Sequence, residues 1–423
     1  MKPREIAAAV LNPLRYGTEF VEKRMDNALR ENDLSSQDRR LVQELIYGVL
    51  RWQRTLDWLL DRKTSGRPQK PYLRALLRLG LYQLFWLDRI PDHAAVNETV
   101  EIAKQRGFGA QAGFINAVLR SYVREQTETT GLLAELKASQ PDIGYSHPAW
   151  LFSRWEQAWG RAMTIQLMTW NNSPPPTYAR LNALRATREQ LEAIWHEEGV
   201  GFHEASFEWS DGGTVFELDS HSSLSDLPSF RRGFFYIQDP STLLAVKMTG
   251  AQPGETLLDA CAAPGGKTAH LAQRMKNEGR LVAEDADPSR LALVEENIRR
   301  LGVQCLDFAA KSGEKFDRVL VDAPCSNTGV ARRRVELRWR LHAEDIQRLS
   351  KEQGQILLRC SERVQPGGLL VYSTCSLEPE ENQAVVAGFL SGQPGFKLEG
   401  ERQLTPWGDG VDGAYVACLR RAP

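Results

Sequence analysis

The sequence predicts a multidomain protein with an all-α domain, a small α+β module and an α/β domain that has a mostly parallel sheet. Apolar residues recur at helical spacing through residues 1–138, and residues 139–235 mix helical with alternating patterns. Residues 236–423 alternate short, almost continuously apolar strands with helices, which indicates a parallel sheet covered on both faces. The length of 423 residues agrees with about three domains.

The first domain is predicted to be a bundle of helices. Residues 41–60 carry one apolar stripe, which predicts a single helix there. Pro71 suits the first turn of a second helix over residues 71–86. Asp92 is predicted to cap a third helix, and residues 114–122 resume the helical spacing.

The middle module begins with a tryptophan-rich helical segment and continues after the stiff proline connector at 174–176. Residues 177–182 alternate like a strand, and residues 188–198 predict a helix. The third domain is then predicted to contain strands at 256–259, 280–283, 317–321 and 368–372, with helices at 291–301 and 346–364.

Composition limits the classes of protein that this chain can belong to. Hydrophobic residues make up 42% and charged residues 25%, as in globular proteins, which excludes a disordered or fibrous chain. No apolar run has the length of a membrane helix, and the first residues do not resemble a secretory signal. The six cysteines form no CxxC pair, so we expect no metal site and a reducing cytoplasmic location.

The stretch DACAAPGGKT at 259–268 is the most informative part of the sequence. A predicted strand runs into a glycine turn, and a helix is expected to begin near Lys267. Such a turn lets the backbone approach a ligand, and the start of the helix offers free amides. Asp285 follows the next strand, where a carboxylate can accept hydrogen bonds from a ribose. The glycine spacing matches neither a P-loop nor GxGxxG, which argues against an NTPase and against NAD.

Two cysteines follow two later strands of the predicted sheet. Cys325 lies in DAPCS at 322–326, and Cys375 lies in STCS at 373–376. Ligands of open α/β sheets bind outside the carboxyl ends of the strands, so these loops are expected to share one crevice with the glycine turn. A single cysteine is more often a small buried hydrophobe than a nucleophile. Two cysteines that face a nucleotide-binding loop favour a catalytic role.

These three motifs, in this order, resemble those of the RNA cytosine-5 methyltransferases, which use S-adenosyl-L-methionine. The resemblance extends to IQDPS at 237–241. Residues 90–119, with Ile90-Pro91, Asn97-Glu98 and FINAVL, are similar to the NusB family. A NusB-like domain fused to this catalytic domain resembles bacterial methyltransferases of small-subunit (16S) ribosomal RNA.

The resemblance implies a Rossmann-like methyltransferase domain over 236–423, a NusB-like RNA-binding domain over 1–138 and a module over 139–235. Asp285 is assigned to the ribose by its position, and Asp307 stands where the family has a Gly-Asp pair near the adenine. The cofactor contacts that the resemblance implies are Cys261, Ala262, Ala263, Pro264, Gly265, Gly266, Lys267, Asp285, Asp307 and Asp322.

The chemistry also follows from the resemblance. Carbon 5 of cytosine becomes nucleophilic only after a thiolate adds to carbon 6, which is covalent catalysis. The family implies that Cys375 attacks and that Cys325 assists elimination, while Asp322 hydrogen-bonds the base. DNA cytosine methyltransferases use the cysteine of their Pro-Cys motif instead, so the residues alone leave open which thiol attacks. Lys267 is expected to lower the pKa of a nearby thiol or to hold the substrate.

The resemblance implies that the partner is RNA. We also expect the protein to be a monomer and to have no membrane partner. The net charge is −1, but residues 1–150 carry a net +4. Two basic runs are expected to contact phosphates, one from Arg62 to Arg78 and one at Arg332-Arg333-Arg334. Two alternatives remain open at this stage. One is an RNA-binding or antitermination protein with an inactive methyltransferase fold, and the other is a related enzyme that acts on transfer RNA or DNA.

Overall fold

A computed structural model describes residues 1–12 and 19–423. The chain divides into two compact units. The first unit contains Met1–Ser173 together with the short segment Arg334–Arg340, and the second contains Pro174–Arg333 and Leu341–Pro423. The domain boundaries predicted after residues 138 and 235 stay a prediction. No helix in the described ranges is long and apolar enough to cross a membrane.

The first unit is helical, as predicted for its sequence. Its helices are α1 (Pro3–Val10), α2 (Val21–Glu31), α3 (Ser36–Arg51), α4 (Gln53–Thr64), α5 (Pro71–Trp86), α6 (Asp92–Gln105), α7 (Ala112–Arg124), α8 (Gln126–Ser139), α9 (Pro141–Gly144) and α10 (Ala149–Asn172).

Two local predictions for this unit are wrong. The apolar stripe over 41–60 belongs to two helices, because the chain turns at Trp52, whose φ of −100° and ψ of 15° separate α3 from α4. Asp92 is the first residue of α6 rather than its cap. Pro91 occupies the cap position with extended backbone angles and offers no side-chain hydrogen bond.

The segment Arg334–Arg340 completes the helical unit from far along the chain. Val335 is 1% exposed and belongs to the same apolar core as residues of α3, α5 and α7. Arg338 is buried and donates hydrogen bonds to Oδ1 of Asn172 and to the carbonyl of Asn171, both at 2.9 Å. The core of the helical unit is therefore closed partly by residues that follow the DAPCS motif.

The second unit begins with a four-stranded antiparallel sheet in the order β2-β3-β1-β4. Trp195 is fully buried, and it packs with Phe216 and Phe235 under one face of this sheet. The predicted α+β module is thus confirmed. Its elements are β1 (Thr177–Leu181), α11 (Arg188–Glu197), β2 (Gly201–Glu204), β3 (Val215–Ser220), α12 (Pro228–Arg231) and β4 (Phe235–Ile237).

The remaining part of the second unit is built on a seven-stranded sheet in the order β10-β11-β9-β8-β5-β6-β7. Strands β9 to β7 in this order are parallel, and β11 and β10 are antiparallel additions at one edge. The predicted mostly parallel sheet is confirmed. Its strands are β5 (Thr256–Asp259), β6 (Arg280–Ala283), β7 (Leu306–Asp307), β8 (Phe316–Asp322), β9 (Val364–Thr374), β10 (Phe396–Leu404) and β11 (Ala414–Arg421).

Helices cover both faces of this sheet, as its two separate apolar cores require. They are α13 (Leu243–Thr249), α14 (Gly266–Arg274), α15 (Pro288–Leu301), α17 (Ala343–Ser361), α18 (Gln383–Gly392) and the single turn α19 (Pro406–Asp409), while α16 (Leu337–Arg340) belongs to the first unit.

Candidate active site

The glycine turn lies between the carboxyl end of β5 and the first turn of α14. Gly265 has a φ of +100°, a left-handed conformation that favours glycine. A Cβ atom on Gly266 would lie 2.7 Å from the Tyr236 ring, so the close approach of β4 also requires a glycine. The amides at the start of α14 and the small side chains of this turn fit an adenosine-containing ligand.

Asp285 lies beside this turn, as the sequence predicts. Its Oδ2 accepts a hydrogen bond from the amide of Ala263 at 3.2 Å, and its Oδ1 accepts one from the amide of Asp287 at 3.0 Å. The side chain is only 4% exposed, and its Oδ1 lies 3.4 Å from Arg290. A fixed carboxylate next to the turn has the chemistry that a ribose diol requires.

Asp307 is in a different setting from Asp285. It ends β7, and its carboxylate pairs with Nε of Arg280 at 2.6 Å, near the amino end of β6. Its side chain is 56% exposed. These contacts do not bring Asp307 to the glycine turn, so its contact with a cofactor stays a prediction.

The two cysteines meet at the carboxyl ends of β8 and β9. Sγ of Cys325 lies 3.3 Å from Sγ of Cys375, too far for a disulfide, and the Cys375 thiol donates to Oδ1 of Asn327 at 3.0 Å. The hydrogen bond with Cys375, and secondly burial, raise the pKa of the Cys325 thiol well above its usual range. The predicted sharing of one crevice by these loops is therefore seen in the geometry.

A charged pair lies beside the thiols. Nζ of Lys267 donates to Oδ2 of Asp322 at 2.7 Å, and the Ser373 hydroxyl donates to Oδ1 of Asp322 at 2.8 Å. Burial lowers the pKa of Lys267, but the charge of Asp322, its hydrogen bond and the nearby Cys375 outweigh burial and raise it. Lys267 is therefore an ammonium ion at neutral pH. Its hydrogen bond to Asp322, which also accepts from Ser373, connects the glycine turn to both cysteine loops.

A buried carboxylate, which our sequence reasoning missed, holds the two cysteine loops together. Glu381 accepts hydrogen bonds from the amide of Ser326 at 2.8 Å and from Nε2 of Gln353 at 3.0 Å. It also accepts hydrogen bonds from the hydroxyls of Ser326 and Ser376, one from each loop. Burial raises the pKa of Glu381. The position of Glu381 in the sequence does not predict this role, because its hydrogen bonds are to loops that follow two separate strands.

Asn327 was also missed, although it follows the DAPCS motif directly. It adopts a left-handed φ of 58°, and its Nδ2 donates to the carbonyl of Cys325 at 2.6 Å. Asparagine tolerates this conformation better than most residues. Its position directly after the cysteine motif is the sequence signal that could have marked Asn327 as a site residue.

The prediction that Arg332 and Arg333 contact RNA is wrong. Arg332 is 2% exposed, and its Nε lies 2.5 Å from Oδ1 of Asp412. Arg333 pairs with Oδ2 of Asp412 at 2.6 Å and with Oδ2 of Asp239 at 2.7 Å. The two arginines neutralise two buried acids inside the second unit, which sequence proximity to the motif could not reveal.

The glycine turn after β5, the acid after β6 and the thiols after β8 and β9 lie on one Rossmann-like sheet, in the arrangement expected of the methyltransferases that the sequence resembles. The model of the family "16S rRNA methyltransferase RsmB/F" matches residues 246–419. The NusB family matches residues 1–124, and a ferredoxin-like domain of RsmF/B-like methyltransferases matches residues 147–211.

Full-length relatives agree with these matches. Ribosomal RNA small subunit methyltransferase B of Vibrio cholerae is 37% identical over 441 residues, covering 100% of this chain and 98% of that protein. Its namesake in Escherichia coli is 36% identical and covers 92% of each chain. The crystal structure of PH0851 matches with a TM-score of 0.81 at 25% identity, covering 100% of this chain and 99% of that one.

The chain therefore belongs to the 16S rRNA methyltransferase RsmB/F family. This membership confirms the predicted fold class, the methyltransferase activity, S-adenosyl-L-methionine as the cofactor and RNA as the class of substrate. The alternative of an inactive RNA-binding protein is not favoured, because both cysteines are present and the Lys267–Asp322 pair joins the glycine turn to the DAPCS loop.

Proposed function

We propose that this enzyme methylates carbon 5 of a cytosine in small-subunit ribosomal RNA through a covalent bond between Cys375 and carbon 6. The observation that carries the proposal is the 3.3 Å separation of the Cys375 and Cys325 sulfurs, beside the Lys267–Asp322 pair. One thiol can then add to carbon 6 while the other stays next to the same ring.

Each residue has a role in this proposal. The Cys375 thiol releases its proton to solvent and its sulfur adds to carbon 6. The Lys267 ammonium offsets the negative charge that develops on the ring, while Asp322 accepts a hydrogen bond from the edge of the base. S-adenosyl-L-methionine, held by residues 261–267 and Asp285, supplies the methyl group. After transfer, the Cys325 sulfur, once deprotonated, accepts the proton of carbon 5, the C5–C6 double bond re-forms and Cys375 departs as a thiolate. Cys325 lies close enough to assist this elimination.

The proposal is tested by incubating the enzyme with methyl-labelled S-adenosylmethionine and unmodified small-subunit ribosomal RNA. We expect label on one cytosine, recovered as 5-methylcytosine after digestion. Large-subunit RNA and transfer RNA serve as controls and should remain unlabelled. Label on an exocyclic nitrogen or on a ribose would refute the proposed chemistry, and label on transfer RNA alone would refute the proposed substrate.

Asp285→Ala is expected to weaken S-adenosylmethionine binding by roughly 10- to 100-fold, because a charged acceptor of hydrogen bonds is lost. Calorimetry on the enzyme without RNA measures this. Asp219→Ala, on the separate four-stranded sheet, is the matched control and should bind normally. We also propose that Asp307 contacts the adenine. Asp307→Ala is therefore measured in parallel and should bind S-adenosylmethionine more weakly than the wild type. Unchanged affinity in either variant would remove that residue from the cofactor site.

We also propose that the helical domain over residues 1–138 contributes RNA affinity. Within its first basic run, Arg74 and Arg78 pair with Asp57, and Lys63 pairs with Glu125. Those three cations are therefore neutralised locally. The exposed members of the run, Arg62, Arg67 and Lys70, carry the proposed contacts with phosphates.

Replacing Arg62, Arg67 and Lys70 together by glutamine is expected to weaken RNA binding and to reduce the slope of log affinity against log salt by about 2. The slope should fall because three fewer counterions are released on binding. Filter binding over a range of salt concentrations measures both effects. A triple variant of Lys23, Arg30 and Arg40, which are also exposed in this unit, is the control. An equal loss in both triple variants would mean that the effect is not local to this run.

The enzyme is further proposed to be a monomer in the reducing cytoplasm. Its six cysteines are all free thiols, as a reducing compartment requires. Light scattering with and without reductant tests this, and a mass of twice 47.6 kDa would contradict it.

A further inference from the structure

The second unit contains a cavity that the methyltransferase chemistry does not use. Its volume is about 540 Å³, and it is lined by β1 and by the second half of α14. Residues 251–253, which precede the amino end of β5, also line it. The cavity therefore lies toward the opposite end of β5 and α14 from the glycine turn and the two cysteines.

A buried arginine that has no acidic partner among the described residues points into this cavity. Arg180 lies in β1 and is 2% exposed. Its Nη1 donates to Oε1 of the neutral side chain of Gln273. Its Nε and Nη2 are buried and have no hydrogen-bond partner within residues 1–12 and 19–423. Burying a charge without a counter-ion is costly, so packing alone does not account for an arginine at this position.

The other unsatisfied groups of the cavity are also hydrogen-bond donors or can act as donors. Because Arg180 holds Oε1 of Gln273, the Nε2 donor of that amide faces the opposite way, and it lacks a partner in the described chain. Nδ1 of His270 is likewise buried and unpaired among the described residues. Burial lowers the pKa of His270 well below its usual range, so its ring is neutral and one nitrogen carries a proton.

Positive charge continues from these donors to the mouth of the cavity. Lys247 and Arg274 line it and share a single acid, Asp211, at 3.2 Å and 2.6 Å. Lys276 lines the cavity as well and is exposed. Burial lowers the pKa of Arg180 to about 9, which leaves its guanidinium charged at neutral pH. The ligand that these groups require is an anion that accepts several hydrogen bonds.

We propose that this cavity binds a phosphate group, held by Arg180, Gln273 and His270. Phosphate oxygens accept from arginine in a fixed fork geometry, and the volume suits a ligand up to the size of a nucleotide. The phosphate comes either from the RNA backbone or from a free nucleotide. The RNA source rests on the proposed function, whereas the phosphate site itself does not.

The test uses the full-length protein, with inorganic phosphate as the probe and chloride at matched ionic strength as the reference. We expect 50 mM phosphate to raise the melting temperature by roughly 3–8 °C beyond the chloride effect, since it binds the folded state. Gln273→Glu keeps the size of the side chain but gives Arg180 an internal carboxylate. That variant should melt higher without phosphate and should lose the phosphate response.

Arg180→Met is the second variant and should also lose the response. Arg420→Met should keep it, because Arg420 lies near the end of β11, where it pairs with Glu399. A wild-type protein that responds to phosphate no more than to chloride would overturn the proposal. A Gln273→Glu variant that responds like the wild type would overturn it equally. Neither measurement contains RNA or S-adenosylmethionine, so failure of the proposed function would not change these outcomes.

Two further arms identify the source of the phosphate. If it is the RNA backbone, Gln273→Glu should bind RNA at least ten-fold more weakly, and its salt slope should fall by about 1. If it is a free nucleotide, AMP should bind more tightly than inorganic phosphate and RNA affinity should not change. Either pattern supports a phosphate site, and the absence of both overturns it.

Discussion

Cys375→Ala is expected to abolish methylation and to form no covalent complex with RNA, whereas Cys325→Ala is expected to accumulate that complex. Without the Cys375 sulfur, carbon 6 has no nucleophile, so carbon 5 is never activated. The rate should fall by a factor on the order of 10⁴ or more, as when a nucleophile is removed from other covalent enzymes. Without Cys325, attack and transfer still occur but elimination stalls.

Denaturing electrophoresis with labelled RNA separates these outcomes, because a covalent complex survives and a non-covalent one does not. Cys305→Ala is the control, since Cys305 packs against the apolar core that includes Leu281, and that core contains neither Cys325 nor Cys375. RNA that contains 5-fluorocytosine offers an independent check, because fluorine cannot leave as a proton and the complex should persist. A complex formed by Cys375→Ala but not by Cys325→Ala would reverse the two roles.

The second large effect concerns the buried charge cluster of Arg332, Arg333, Asp239 and Asp412. Arg332→Met is expected to destabilise the second unit by about 3–5 kcal/mol, because the two buried carboxylates then lose one of the two arginines that pair with them. The side chains of Arg332, Asp412 and Asp239 are 2%, 0% and 5% exposed, so water cannot replace the lost arginine. Urea unfolding, followed by the fluorescence of tryptophan, measures the loss.

Arg348→Met is the matched control for this experiment. Arg348 is 62% exposed and pairs with Asp345 at 3.1 Å, and exposed pairs contribute about 0–1 kcal/mol. Adding Asp412→Asn to Arg332→Met should recover part of the lost stability, because one uncompensated charge is removed. If Arg332→Met were no less stable than Arg348→Met, the cluster would not be an electrostatic support of the fold.

The parts of the fold that could be predicted depend on local spacing. Strands β5 and β6 have the predicted bounds, because a short apolar run directly before a turn is a local pattern. The break at Trp52 was missed, since an apolar stripe continues across it and only tertiary packing distinguishes one helix from two. Strands β10 and β11 were not predicted, because their place in the sheet depends on the pairing of β11 with β9, which is non-local.

The same contrast between local patterns and non-local contacts applies to the candidate site. Cys325, Cys375 and Asp285 could be selected because each directly follows a strand, and the ends of parallel strands converge. Glu381 could not, because its four hydrogen bonds come from three residues, two in the cysteine loops and one in α17. Arg332 and Arg333 misled for a related reason, whereas the contact predicted for the exposed Arg334 stays a prediction. An arginine in sequence gives no indication of whether its counter-ion is a phosphate or a buried aspartate from another strand.

The late position of Arg334–Arg340 in the sequence determines when the first unit can complete its core during synthesis of the chain. The helical unit needs Val335 for its core, yet this residue leaves the ribosome roughly 160 residues after Ser173. At about 5–20 residues per second, translation needs on the order of 10–30 s to reach it. Through that interval the nascent helices lack the residue that closes their core. A messenger cut before codon 335 would therefore yield an unfinished first unit, although every residue up to 173 had been made.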